Sequence, residues 1–123
     1  MWTIKRVNDN FGHSEGDRIL RNVAALLRDS VRRSDLVARL GGDEFVLLLH
    51  DSDAARARGV LDRILEKRNE LDRGRPFQVT LSIGAATFLR PPSSVDDGIR
   101  AADTLMYAVK SAGKNAVRLE TVP

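Results

Sequence analysis

The chain contains no cysteine, and only six of its 123 residues are aromatic: one Trp, one Tyr and four Phe. Without thiols it can form no disulfide, thiolate metal site or cysteine nucleophile, a composition that fits a cytoplasmic protein. So few aromatics leave little for stacking bases along a single strand. No apolar run approaches the roughly eighteen residues of a membrane span. The N-terminus passes straight from Met1-Trp2 to Lys5-Arg6, without the pattern of a signal peptide. What is present is ordinary for a globular domain, 42% apolar and 30% charged, and residues 1–123 read as one domain. The net charge of +3 is carried mostly by arginine. Those arginines are scattered through helical segments and form no block, so phosphate on a small molecule accounts for them as well as nucleic acid does.

The chain is organised around Arg39-Leu40-Gly41-Gly42-Asp43-Glu44-Phe45, set between the apolar runs Leu36-Val37-Ala38 and Val46-Leu47-Leu48-Leu49. Two such runs joined by a Gly-Gly pair predict a β-hairpin. Asp43 and Glu44 follow the glycines at its tip, where a carboxylate can hold a divalent cation or accept a proton. An ordinary turn with solvated acids satisfies the same pattern.

Trp2-Thr3-Ile4 reads as the tail of a strand, and Asn8-Asp9-Asn10 with Gly12 as a turn. Ser14 and Asp17 resemble a capping box ahead of a helix whose inner face is Ile19, Leu20, Val23, Leu26, Leu27 and Val31. Arg18, Arg21, Arg28 and Arg32 occupy its polar face. After the hairpin, Ser52 or Asp53 caps a second helix running to about Leu71. Ala57, Val60, Leu61, Ile64 and Leu65 should face inward on it, and Arg56, Arg63, Lys67 and Arg68 outward. Phe77, Val79, Leu81, Ile83 and Ala85 alternate with polar or small residues as a strand does. Ser94 and Asp97 repeat the capping signature before Val95, Ile99, Ala102, Met106 and Val109. Gly113 is placed to end that helix, and Ala116–Leu119 form a last short strand. This order predicts an α/β sandwich in which helices cover an antiparallel or mixed sheet.

Four ordered motifs now resemble a known family, the GGDEF domains of diguanylate cyclases. Gly41-Gly42-Asp43-Glu44-Phe45 spells the family signature. Asn8-Asp9-Asn10-Phe11-Gly12-His13-Ser14-Glu15-Gly16-Asp17 is similar to its Asn-Asp, Gly-His and Gly-Asp segment. Val79-Thr80-Leu81-Ser82-Ile83-Gly84 resembles its late strand. Ala102-Asp103 through Tyr107, Lys110, Gly113, Lys114 and Asn115 resembles its last helix and turn.

The resemblance implies a ferredoxin-like, nucleotidyl-cyclase-like core with a mixed, largely antiparallel sheet and the signature on a hairpin. It implies condensation of two GTP into cyclic di-GMP and pyrophosphate by a homodimer that uses Mg²⁺ or Mn²⁺. Asn8 and Asp17 would read guanine, the carboxylate facing the N1 and N2 donors. Gly41 and Gly42 would let the triphosphate pass close to the backbone. Asp43 would ligate the metal and help activate the ribose 3′-hydroxyl, and Glu44 would support the site electrostatically. Lys110 and Lys114 would neutralise terminal phosphates, although cations near a helix C-terminus need no ligand to explain them. Tyr107 and Asp103 are expected to pack and to anchor the helix, and His13 to brace its turn. Arg32 and Asp35 stand where the family places its RxxD product-inhibition motif, and Arg63 where a further arginine joins it. A solvated ion pair between Arg32 and Asp35 is the plain alternative.

One feature of the family falls outside the sequence. Its first strand carries a metal-binding aspartate at a position that lies before Met1, so the family's N-terminal helix and most of that strand are expected to be missing. A start placed too late, a chain cut inside the strand or a degenerate copy would each explain this. Three readings follow: a diguanylate cyclase; a catalytically silent GTP or cyclic di-GMP receptor; and a basic nucleic-acid binder with relic motifs. A sensory or receiver domain is expected upstream in the full gene product, tethered to a membrane sensor or free in the cytoplasm.

Overall fold

The computed structural model describes residues 9–112 and 116–123. The expected first strand, Gly113, Lys114, Asn115 and Asn8 lie outside the described residues. The elements in chain order are α1 (His13–Ser30), β1 (Leu36–Gly41), β2 (Glu44–Leu48), α2 (Ala54–Lys67), a 3₁₀ segment (Arg68–Asp72), β3 (Ser82–Phe88), α3 (Val95–Ser111) and β4 (Ala116–Val122). Strand pairing is mixed, antiparallel between β1 and β2 and parallel between β3 and β4. The chain divides into two compact units, Met1–His50 with Glu66–Val79 and Asp51–Leu65 with Thr80–Pro123.

In the first unit, α1 forms because strong helix formers fill it and apolar residues recur along one stripe. Ile19, Val23, Leu26 and Leu27 are buried, each contributing about 1.5–3 kcal/mol. Its start departs from expectation. Residues 9–11 are already helical and Gly12 interrupts them at φ 90°, where an L side chain is disfavoured. Gly12 is therefore the N-cap, and no side chain caps α1, so the Ser14–Asp17 box does not form. The Arg75 side chain, 7% exposed, fixes this end of the helix. Its Nε donates to Glu15 Oε1 at 2.7 Å and its Nη1 to the Leu71 carbonyl at 2.5 Å. The Phe11 and Phe77 rings meet tilted by 38° with centroids 5.3 Å apart.

Two further corrections fall on the segment after α2. Arg68, expected to face outward, is buried, and the helix tightens to 3₁₀ from this residue. The strand expected from Phe77 begins only at Ser82. Side chains have taken the place of a strand neighbour: Arg68 Nη1 donates to the Val79 carbonyl at 2.8 Å and Asp72 Oδ1 accepts from the Val79 N–H at 2.6 Å. The single Val79 N–H is thereby committed to a side chain and is not available to a ladder.

In the second unit, Asp53 Oδ1 caps the start of α2 by accepting from Arg56 N at 2.8 Å, and Ala57, Val60, Leu61 and Ile64 are buried. Ser94 caps α3 as expected, accepting from Asp97 N at 3.1 Å. α3 is the crossover that lets β3 and β4 run parallel in register from Ser82↔Ala116 to Phe88↔Val122, three residues beyond the expected end of the last strand. It lies directly on β3: a Cβ at Gly84 would sit 2.1 Å from Met106 N and 2.3 Å from the Ala102 carbonyl. Tyr107 does not pack as expected, being 71% exposed, and Asp103 is exposed beside it.

Candidate functional site

The hairpin delivers its acids to solvent. β1 and β2 pair from Leu36↔Leu48 to Gly41↔Glu44, with a bulge between Arg39 and Gly41 that adds Leu40. Gly41 takes φ 150° and Gly42 φ 52°. A Cβ at either would meet open space, so the need for glycine is conformational rather than steric. Arg39 closes the turn, its Nε donating to the Gly42 carbonyl at 2.9 Å. Asp43 and Glu44 are exposed at the tip.

Beside this turn lies an open cavity of about 450 Å³ lined by Asp17, Leu20, Arg21 and Ala24 of α1 and by Val37, Ala38, Arg39 and Phe45 of the hairpin. Among the described residues the Asp17 carboxylate and the Arg21 guanidinium make no hydrogen bond or ion pair. An apolar lining with a few convergent, unpaired polar groups is the usual form of a small-molecule site. The cavity adds Arg21 and Arg39 to the residues that the sequence motifs single out; Arg21 lies one turn beyond Asp17 on the polar face of α1.

At the other end of the hairpin, Asp35 is a structural hub. Its side chain is 1% exposed; Oδ2 accepts from Arg32 N and Oδ1 from His50 N, each at 2.9 Å, with Arg32 Nε 3.6 Å away. Burial would raise its pKa, but the amide bonds from His50 and Arg32 and the Arg32 charge together hold it below the ordinary value. Arg32 donates to the His50 carbonyl, and Arg28 to the carbonyls of Asp35 and Arg32. The pairing of Arg32 with Asp35 is thus partly internal architecture and not a solvated ion pair. Arg28, a polar-face residue by sequence, belongs to the same network.

Of the other expected site residues, His13 opens α1 and is exposed, Arg63 is exposed on α2, and Lys110 is exposed in the last turn of α3. Asn8 and Lys114 lie outside the described residues. Among the described residues no group of three or more His, Asp or Glu side chains is assembled for a metal. Asp43 and Glu44 nevertheless offer hard oxygen ligands of the kind that hold a divalent cation, at an open turn. No described helix is long and apolar enough to cross a membrane.

Helices over mixed β pairs, with an acid-tipped hairpin beside a cavity, define a nucleotidyl-cyclase-like α/β domain. The chain belongs to the diguanylate cyclase GGDEF domain family, whose model matches residues 2–116. It is 37% identical over 124 residues to the probable diguanylate cyclase DgcT of Escherichia coli K12, covering 97% of this chain and 27% of that protein. It is 34% identical over 119 residues to diguanylate cyclase A of Treponema denticola, covering 94% of this chain and 32% of that one. The chain thus spans about a quarter to a third of these relatives. A structure comprising only the GGDEF domain of YfiN (TpbB) from Pseudomonas aeruginosa superposes with a TM-score of 0.81 at 36% identity, over 94% of this chain and 70% of that one. The coiled coil and GGDEF domain of DgcB from Caulobacter crescentus, solved in complex with c-di-GMP, gives 0.81 at 28% identity over 95% and 64%.

Proposed function

We propose that residues 1–123 form a GGDEF domain that condenses two GTP into cyclic di-GMP and pyrophosphate, two copies meeting so that each supplies one nucleotide. The observation that carries this reading is the turn itself. Glycines at φ 150° and 52° present Asp43 and Glu44 to solvent, next to the cavity that Asp17 lines. Asp17 accepts from guanine N1 and N2, with Asn8 assisting. Gly41 and Gly42 let phosphate approach backbone N–H groups. Asp43 helps to activate the 3′-hydroxyl for in-line attack on the α-phosphate of the opposing GTP, and Glu44 adds negative charge beside it. Bound Mg²⁺ or Mn²⁺ supplies neutralisation of developing phosphate charge. Lys110 and Lys114 hold the terminal phosphates. Arg32 and Asp35 belong to a product-inhibition motif for cyclic di-GMP, and Arg63 is a further arginine for the same ligand. The domain works in the cytoplasm, as the output of a longer protein with a sensory or receiver domain.

A second reading, silent binding of GTP or cyclic di-GMP, is favoured by the small acid set: among the described residues no group of three or more potential metal ligands is assembled. Incubation with GTP and Mg²⁺ separates the two. Cyclic di-GMP formed by the parent and lost in Asp43→Asn supports the cyclase. Nucleotide binding without turnover supports the receptor. Fusing an Asp-bearing strand upstream of Met1 tests whether a further carboxylate is what turnover requires.

A further inference from the structure

We propose that Arg21 is a specificity-determining residue that reads the O6 and N7 acceptors of guanine, the edge adjoining the one read by Asp17. The inference rests on the assignment of the Asp17 cavity to GTP. Asp17 and Arg21 stand four residues apart on α1, a spacing that puts their Cβ atoms about 6 Å apart on one helix face. Both line the same cavity, and neither is neutralised by the other or by any described residue. Both side chains therefore keep their hydrogen-bonding capacity beside an apolar wall, which suits a ligand that offers donors and acceptors side by side. Guanine does so, with donors at N1 and N2 flanking acceptors at O6 and N7. A guanidinium bonded to O6 and N7 is the commonest specific contact to this base. Adenine inverts the pattern, placing an amino donor where Arg21 needs an acceptor. The other cationic side chain of the cavity, Arg39, directs its Nε to the Gly42 carbonyl of the turn.

The test is a set of titrations of the 123-residue protein with GTP, ITP and 7-deaza-GTP in Mg²⁺. ITP lacks the N2 amino group and reports on Asp17; 7-deaza-GTP lacks N7 and reports on the guanidinium. The parent should bind 7-deaza-GTP about fivefold more weakly than GTP, as expected for one lost charge-assisted hydrogen bond. Arg21→Ala should bind GTP roughly tenfold more weakly and no longer distinguish it from 7-deaza-GTP, while still preferring GTP to ITP. Arg21 is exposed and Ala favours helix, so the variant will fold. A 7-deaza penalty that persists in Arg21→Ala, or disappears in Arg39→Ala instead, overturns the assignment. A parent that discriminates against ITP but not 7-deaza-GTP overturns it and leaves Asp17 as the reader; a parent that discriminates against neither overturns both.

Discussion

The Asp35 carboxylate accepts the backbone N–H of His50 at 2.9 Å, bridging fifteen residues and tying together the two ends of the β-hairpin. Its second oxygen takes the Arg32 N–H, so one buried acid satisfies two amides that no ladder reaches. Removing it by Asp35→Ala should cost about 2–3 kcal/mol, since those donors lose a charged acceptor. The pH dependence has a definite sign. The folded pKa lies below the ordinary 3.8, so the stabilisation is complete above the ordinary value and is lost as pH falls through the folded one. Acid titration followed by circular dichroism should therefore show the parent losing stability below about pH 4, with that component absent in Asp35→Asn. Identical acid limbs for the two proteins would refute the role.

Gly42, at φ 52°, has open space around its missing Cβ, so an alanine there is opposed by the backbone alone. Left-handed backbone costs an L residue roughly 1–2 kcal/mol. Part of that strain can be relieved by rotating the Gly42 peptide, which would pull its carbonyl from Arg39 and redirect Asp43. Gly42→Ala should lower stability by about 1 kcal/mol and reduce cyclic di-GMP formation far more than nucleotide binding. Thermal melting and product assays on one preparation check both; full turnover in the variant would show that the turn tolerates the change.

The hairpin and the helices were legible because their signals are local: a Gly-Gly turn between apolar runs, and apolar stripes at helical spacing. The strand expected from Phe77 was not, and Arg68 and Asp72 explain why. Alternation at 77–85 gives the right periodicity, but the two side chains that occupy Val79 lie seven and eleven residues upstream, where helical spacing made Arg68 look solvated. The cap of α1 failed for a related reason. Ser14 and Asp17 have capping chemistry, yet the positive φ of Gly12 sets the helix start two residues earlier. Within the site, Gly41, Gly42, Asp43 and Asp17 were visible as motif residues, whereas Arg39 and Arg21 became visible only once the hairpin and α1 lined one cavity.

The internal role of Asp35 changes how the proposed cyclic di-GMP site must be tested. Substituting Asp35 lowers stability through His50 and Arg32 whether or not ligand binds, so lost binding in that variant decides nothing. Arg32 is compromised in the same way, because its side chain donates to the His50 carbonyl. Arg63 is the more informative position: it is exposed on α2, so binding and melting of one variant can be compared directly. If arginine clamps a phosphate or guanine edge of the dinucleotide there, Arg63→Ala should weaken cyclic di-GMP binding roughly tenfold or more, beyond what any change in melting temperature accounts for. Arg63→Lys should recover only part of the loss, since a point charge cannot replace a bidentate fork. Calorimetric titration of the parent and both variants measures this directly, and equal affinities across the three would remove Arg63 from the site.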